Sequence, residues 1–243
     1  MTDTDSRICI DCQRSFDAAY HVMFERRCFH SLRCDECEAI ATEKAEQEKL
    51  AAELKTVTDS WEAIAPVLYR TSDIKRFPKK LQQIVADFDP FSQRGFGFSG
   101  RAGSCKTRAS FQMLKVAHFR GHSCATINGV DFAKLSIDQF NDTPISGGSC
   151  LGGNRQTIGT QAKRQLRRLA DCDWSLLDDM DKCKFTPRAE EALYDLLESR
   201  TSNARPTIWT CNANSNQLAA MFTEERSGAI LRRLVEFAEV ITL

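Results

Sequence analysis

From about residue 61 onward, short apolar runs alternate with longer stretches whose apolar positions recur at helical spacing. Arg94 to Ser99 reads as a strand, Thr107 to Phe119 as a helix offering Phe111, Leu114 and Val116 to a core, and Ser123 to Asn128 as a second strand. Trp174 to Met180, Pro206 to Asn212 and Glu236 to Leu243 read as a third, fourth and fifth. The clearest intervening helix is Pro187 to Arg200. Thr186 can cap it, Pro187 suits its first position, and Leu193, Leu196 and Leu197 supply an inner face. Strands separated by helices predict an α/β domain over 61–243, with a parallel sheet covered on both faces.

The first quarter of the chain has a different texture. Residues 38–58 are rich in Ala, Glu, Lys and Leu, contain no Gly or Pro, and predict one exposed connecting helix, with apolar positions too sparse for sustained heptads. Residues 1–37 lack a long apolar pattern but hold five of the 11 cysteines. The expected layout is a small module at 1–37, a linker helix at 38–60 and the α/β domain at 61–243.

Composition narrows the function classes. A hydrophobic fraction of 42% suits a globular core, and a formal net charge of +0 excludes a global basic field, so any nucleic-acid surface must be local. No run has the length of a membrane span, and the opening MTDTDSRICIDC is polar and acidic, unlike a signal peptide. A cytoplasmic protein without a membrane partner is therefore expected, its cysteines serving metal or buried thiols.

The segment Gly100 to Thr107, GRAGSCKT, fits the phosphate-binding P-loop pattern of Gly, four residues, Gly, Lys and Ser or Thr, except that Cys105 replaces the second Gly. A strand that turns sharply into a helix aims backbone N–H groups and the helix N-terminus at phosphates. The cradle spans Gly100, Arg101, Ala102, Gly103, Ser104, Cys105, Lys106, Thr107 and Arg108. Lys106 reaches the β- and γ-phosphates of ATP, and the Thr107 hydroxyl binds Mg²⁺. A β-carbon at Cys105 restricts the backbone unless its φ stays negative, but the side chain is small and a cradle remains plausible.

Three further features follow in order. In DWSLLDDMDK, Asp178 and Asp179 stand at the C-terminal end of a buried strand, where parallel sheets bind ligands. Asp178 is expected to hold Mg²⁺ and Asp179 to polarise the attacking water, one methylene shorter than Glu. The strand PTIWTCN ends at Asn212, which can lie beside the γ-phosphate. In ERSGAILRRLVEF, Arg233 ahead of Arg232, with Arg226 weaker, can reach a neighbouring subunit's nucleotide as an arginine finger; a solvated basic patch is the plain alternative.

GRAGSCKT, LLDD, TIWTCN and ILRRL, in this order, resemble the AAA+ ATPases. With DKCKFTPRAEEALYDLLESRTSNARPTIWTCN, the chain looks like their DnaC-like and IstB-like branch of helicase loaders and transposition helpers over about residues 61–243. The resemblance implies a sheet ordered 5-1-4-3-2, assembly of a homo-oligomeric ring or spiral in the ATP state, and a chain that stops at the fifth strand with no C-terminal lid domain. It also implies ATPase activity directed at a replicative helicase. An IstB-like helper acting on target DNA and an adaptor that holds ATP without turnover are the rivals.

Cys9-x2-Cys12 and Cys34-x2-Cys37 form two paired knuckles able to surround Zn²⁺ in a zinc ribbon, with Cys28 and His30 as spare donors. Arg7, Arg14, Arg26, Arg27 and Arg33 with Phe16, Phe24 and Phe29 are candidates for a basic, aromatic face, although so small a module needs those aromatics for itself. By resemblance, the module is where a helicase is held. Lys163, Arg164, Arg167 and Arg168, near Arg155 and the flexible stretch 146–154, either contact DNA, single-stranded by expectation, or simply solvate a helix. His118 and His122 read as structural.

Overall fold

The computed structural model describes residues 3–23, 26–145 and 156–243. Phe24, Arg155 and the stretch 146–154, all noted above, lie outside them. The chain divides into two compact units, Met1–Asp59 and Ser60–Leu243.

The first unit is a three-stranded antiparallel meander, β1 (Asp3–Ile8), β2 (Ser15–Met23) and β3 (Arg26–Phe29), in the order β1-β2-β3. The sequence predicts no strand here. With so little apolar alternation, the strands are set by turns and cross-strand pairs instead. Arg7 lies over the Phe29 ring at 4.1 Å, and Arg27 lies over Tyr20 and pairs with Asp5. Arg14 pairs with Glu36 and Arg33 with Asp11. Four of the five arginines are thus spent inside the module rather than assembled into a free basic face. Helix α1 (Asp35–Ile64) follows, longer at both ends than the 38–60 expected, so that Cys37 sits in its first turn.

In the second unit, α2 (Lys79–Ala86) leads to β4 (Gly95–Ser99), α3 (Lys106–Phe119), β5 (Cys124–Asn128), α4 (Gly129–Asp138) and α5 (Ile158–Asp171). Then come β6 (Trp174–Asp178), α6 (Pro187–Ser202), β7 (Thr207–Cys211), α7 (Ser215–Ala219), α8 (Glu224–Glu236) and β8 (Ala238–Thr242). The Thr186 hydroxyl accepts from Ala189 N and Pro187 opens α6, as the capping argument requires. The strands β4 to β8 form one parallel sheet, ordered β5-β6-β7-β4-β8. Counted within the unit and read from the β8 edge, that is the order 5-1-4-3-2.

Strand alternation sends successive residues to opposite faces. Phe98, Leu176 and Ile208 pack with Phe111, Met113 and Leu114 of α3 and with Leu81, Val85 and Trp61. Leu177, Trp209 and Cys211 pack on the other face with Phe132, Leu169, Leu193, Leu197, Ile230 and Leu234. Gly97 makes this possible at the centre of the sheet. A Cβ there would come within 2.2 Å of the Trp209 indole, which donates to Leu234 O at 2.9 Å. At the N-terminal ends of β6 and β7, buried Arg200 clamps the chain by donating to the carbonyls of Leu169, Cys172, Asp173 and Pro206.

Candidate functional site: the P-loop and its acidic partners

The P-loop lies between β4 and α3, at the C-terminal edge of the sheet. Gly100 (φ 135) sits where a Cβ would meet Leu243 O at 2.0 Å, so only glycine fits the exit from β4. Gly103 (φ 82) has open space around its Cα, as a backbone approached by phosphates requires. Cys105 has φ +67 and ψ 16, the left-handed conformation that glycine favours, so the restriction its β-carbon brings applies in full. The loop keeps the geometry of its pattern and imposes it on a residue with a β-carbon.

Lys106 is 5% exposed. Its ammonium donates to Gly100 O at 2.9 Å, Arg101 O at 2.8 Å and Asn212 Oδ1 at 2.9 Å, with Ser104 Oγ farther off at 3.3 Å. Three close acceptors satisfy the three ammonium protons. Thr107 Oγ1 donates to Asp178 Oδ1 at 2.9 Å, and Thr210 Oγ1 donates to the same oxygen at 2.7 Å. Burial pushes the Asp178 carboxyl above its usual range, a rise the two hydroxyl donors partly offset. Asp179 follows in a left-handed turn (φ 50), its N–H donating to Thr210 Oγ1.

The sequence reading missed Asp181. Its carboxylate accepts from Asn212 N at 2.7 Å and from Asn212 Nδ2 at 3.0 Å. Parallel pairing of β6 with β7 brings the two strand ends together. The clue was the third acid of DDMD, legible only once those strands are neighbours. A cavity of about 970 Å³ touches Asp178 and Asp179 and is lined by Tyr69, Phe111 and Asn128, but by no P-loop residue. It is therefore not the phosphate cradle.

The candidate fingers differ in surroundings. Arg233 pairs with Glu198 and, at 3.6 Å, with Glu236. Arg232 is exposed and Arg226 half-buried. Lys163, Arg164, Arg167 and Arg168 are all exposed along α5. His118 Nε2 lies 2.7 Å from Ser60 Oγ, and His122 lies against Phe91.

In the first unit, Cys9 and Cys12 lie on the β1–β2 connection, Cys34 just before α1 and Cys37 within it. Their four sulfurs lie within 4.8 Å of one another, with Cys12 and Cys34 at 3.7 Å. A tetrahedral ion with metal–sulfur bonds of about 2.3 Å needs sulfur–sulfur edges of about 3.8 Å, so the donor set fits zinc. Neither Cys28 nor His30 joins the cluster among the described residues. The Cys12 N–H lowers the Cys9 thiol to about 6, while the Cys34 sulfur helps push Cys37 up to about 12. Thiols this close cannot all ionise without a cation among them.

Among the described residues no helix is long and apolar enough to cross a membrane. No protein-family model and no curated protein matches the sequence. Solved structures do match. A putative primosome component from Streptococcus pyogenes serotype M3 is similar at TM-score 0.53 and 16% identity, covering 74% of this chain and 89% of that one. DnaI is similar at 0.50 and 18%, covering 68% and 81%. A DNA replication initiation factor is similar at 0.51 and 11%, covering 74% of this chain and 50% of its own. With its strand order, P-loop and acidic strand end, the second unit has the AAA+ P-loop fold in the form seen in DnaI and the streptococcal primosome component.

Proposed function

We propose that this chain is an ATP-binding and ATP-hydrolysing AAA+ switch that loads or remodels a replicative DNA helicase. The observation that carries the ATP reading is the convergence of two hydrogen-bonded pairs, Lys106 with Asn212 and Thr107 with Asp178, at the C-terminal ends of β4, β6 and β7. Lys106 exchanges its loop carbonyls for β- and γ-phosphate oxygens. Thr107 and Asp178 hold Mg²⁺, which supplies charge neutralisation on the phosphates. Asp179 takes the proton of the attacking water. The fold shared with a primosome component and a DNA replication initiation factor supports a role in DNA replication, the setting in which such a helicase acts.

In the ATP state the protein assembles as a ring or spiral, and a neighbour's arginine completes the site. The ion pairs of Arg233 leave Arg232 the more accessible of the two. The exposed basic face of α5 contacts single-stranded DNA, with strong salt dependence. The four cysteines hold Zn²⁺ in a ribbon-like module at 1–37 that engages the helicase, with 38–60 as its linker. A second reading, an adaptor that binds ATP without turnover, rests on two departures in residue type: Cys105 in place of glycine, and Asp179, one methylene shorter than Glu.

ATP turnover by the wild type and Lys106→Ala decides between them. Loss of at least about 10²-fold in the variant is expected; equal background rates would sink the enzyme reading. Native mass spectrometry with ATP and Mg²⁺, with and without the helicase, tests the partner. A monomer indifferent to both defeats the loader reading.

A further inference from the structure

We infer that Asp181 is a positioning residue for ATP hydrolysis, acting through Asn212; the inference rests on the ATPase reading above. The orientation of the Asn212 amide follows from its neighbours' chemistry. A lysine ammonium only donates and a carboxylate only accepts. With Lys106 Nζ at 2.9 Å on one side and Asp181 at 3.0 Å on the other, the carbonyl oxygen must face Lys106 and the NH₂ must face Asp181. Asp181 also accepts from Asn212 N at 2.7 Å, so backbone and side chain of the strand end are tied to one carboxylate. The side chain cannot turn over without leaving that carboxylate short of a donor and setting its NH₂ against an ammonium.

The result is an acceptor, not a donor, at the γ-phosphate end of the loop. Once Lys106 turns to phosphate, Asn212 Oδ1 accepts a hydrogen bond from the attacking water and aims it. The water oxygen bonds to the γ-phosphorus as the bond from that phosphorus to the bridging oxygen breaks. The bridging oxygen leaves with the electron pair on ADP. One water proton passes to Asp179 and on to solvent; the other, held toward Asn212, stays with the phosphate product. Asp181 touches no reacting atom. It fixes the amide, and its negative charge behind the NH₂ strengthens the acceptor in front.

The test uses the full chain with ATP and Mg²⁺. Asp181→Ala is expected to lower kcat by about 10²-fold while ATP affinity, measured by calorimetry, stays within about 2-fold. Asp181→Asn, which keeps an acceptor oxygen and loses the charge, falls between. Asn212→Asp, which sets two carboxylates together, is expected to lower kcat as far as Asp181→Ala does. Combining it with Asp181→Asn returns an amide donor at one position and an acceptor at the other, and restores at least about 10-fold of that loss. Apart from turnover, the Asn212 side-chain NH₂ resonance, identified by its loss in Asn212→Asp, moves in Asp181→Ala. Unaltered kcat in Asp181→Ala, an unmoved resonance, or a swap without recovery overturns the inference and leaves the ATPase reading standing. Wild-type turnover no faster than Lys106→Ala overturns both.

Discussion

The two units solve the problem of stability in different ways. In the second, a five-stranded sheet carries an apolar cluster on each face, with Phe98, Leu176, Leu177, Ile208 and Trp174 almost fully enclosed. In the first, the described apolar side chains that are buried are only Cys9 and Ala18, while Ile8, Ile10, Val22, Met23 and Leu32 are exposed. Burial at about 25 cal/mol per Å² of apolar surface can sustain the second unit and cannot sustain the first. What the first has instead is four sulfurs at ligand distance, joined by arginine–carboxylate pairs that are solvent-exposed and individually weak. One sequence thus contains a fold stabilised by solvent exclusion and another with little buried apolar surface and four sulfurs spaced to hold an ion.

The contrast breaks most visibly under a strong chelator. Metal removal is expected to unfold the first unit, a loss on the order of 10 kcal/mol in comparable zinc modules, while the melting of the second stays in place. Amide spectra before and after chelation, with zinc content assayed alongside, check this; a first unit that keeps its dispersion without metal would remove the contrast. A smaller effect runs the other way. Gly97→Ala drives a methyl into the Trp209 ring and should cost the second unit about 1–3 kcal/mol, lowering its urea midpoint without touching the first. An unmoved midpoint would mean that the indole has room to yield. Smallest is a gain. Cys105→Gly releases a β-carbon from the left-handed region and should stabilise the second unit by about 1 kcal/mol, read as a higher urea midpoint.

Much of the second unit was legible in sequence because its signals are local. The strand before GRAGSCKT, the Thr186–Pro187 start of α6 and the buried LLDD strand each announce themselves within a few residues. The arrangement of β1 to β3 was not: each strand pairs with its neighbour in sequence, but their faces do not alternate cleanly. Arg14, Arg27 and Arg33 reach Glu36, Asp5 and Asp11, each 22 residues away, so their charges looked free when read along the chain. Asp181 was hidden for the same reason, 31 residues from Asn212 until β6 and β7 align. The left-handed backbone of Cys105 was not legible either, because the path from β4 into α3 dominates a single residue's preference.

The self-bonded lysine has a consequence of its own. Gly100, Arg101 and Asn212 take up all three protons of Lys106, so one ammonium ties the turn after β4 to the end of its neighbour β7. The two strand ends are stapled through a single side chain, and any group that draws Lys106 away frees the Asn212 carbonyl in the same movement.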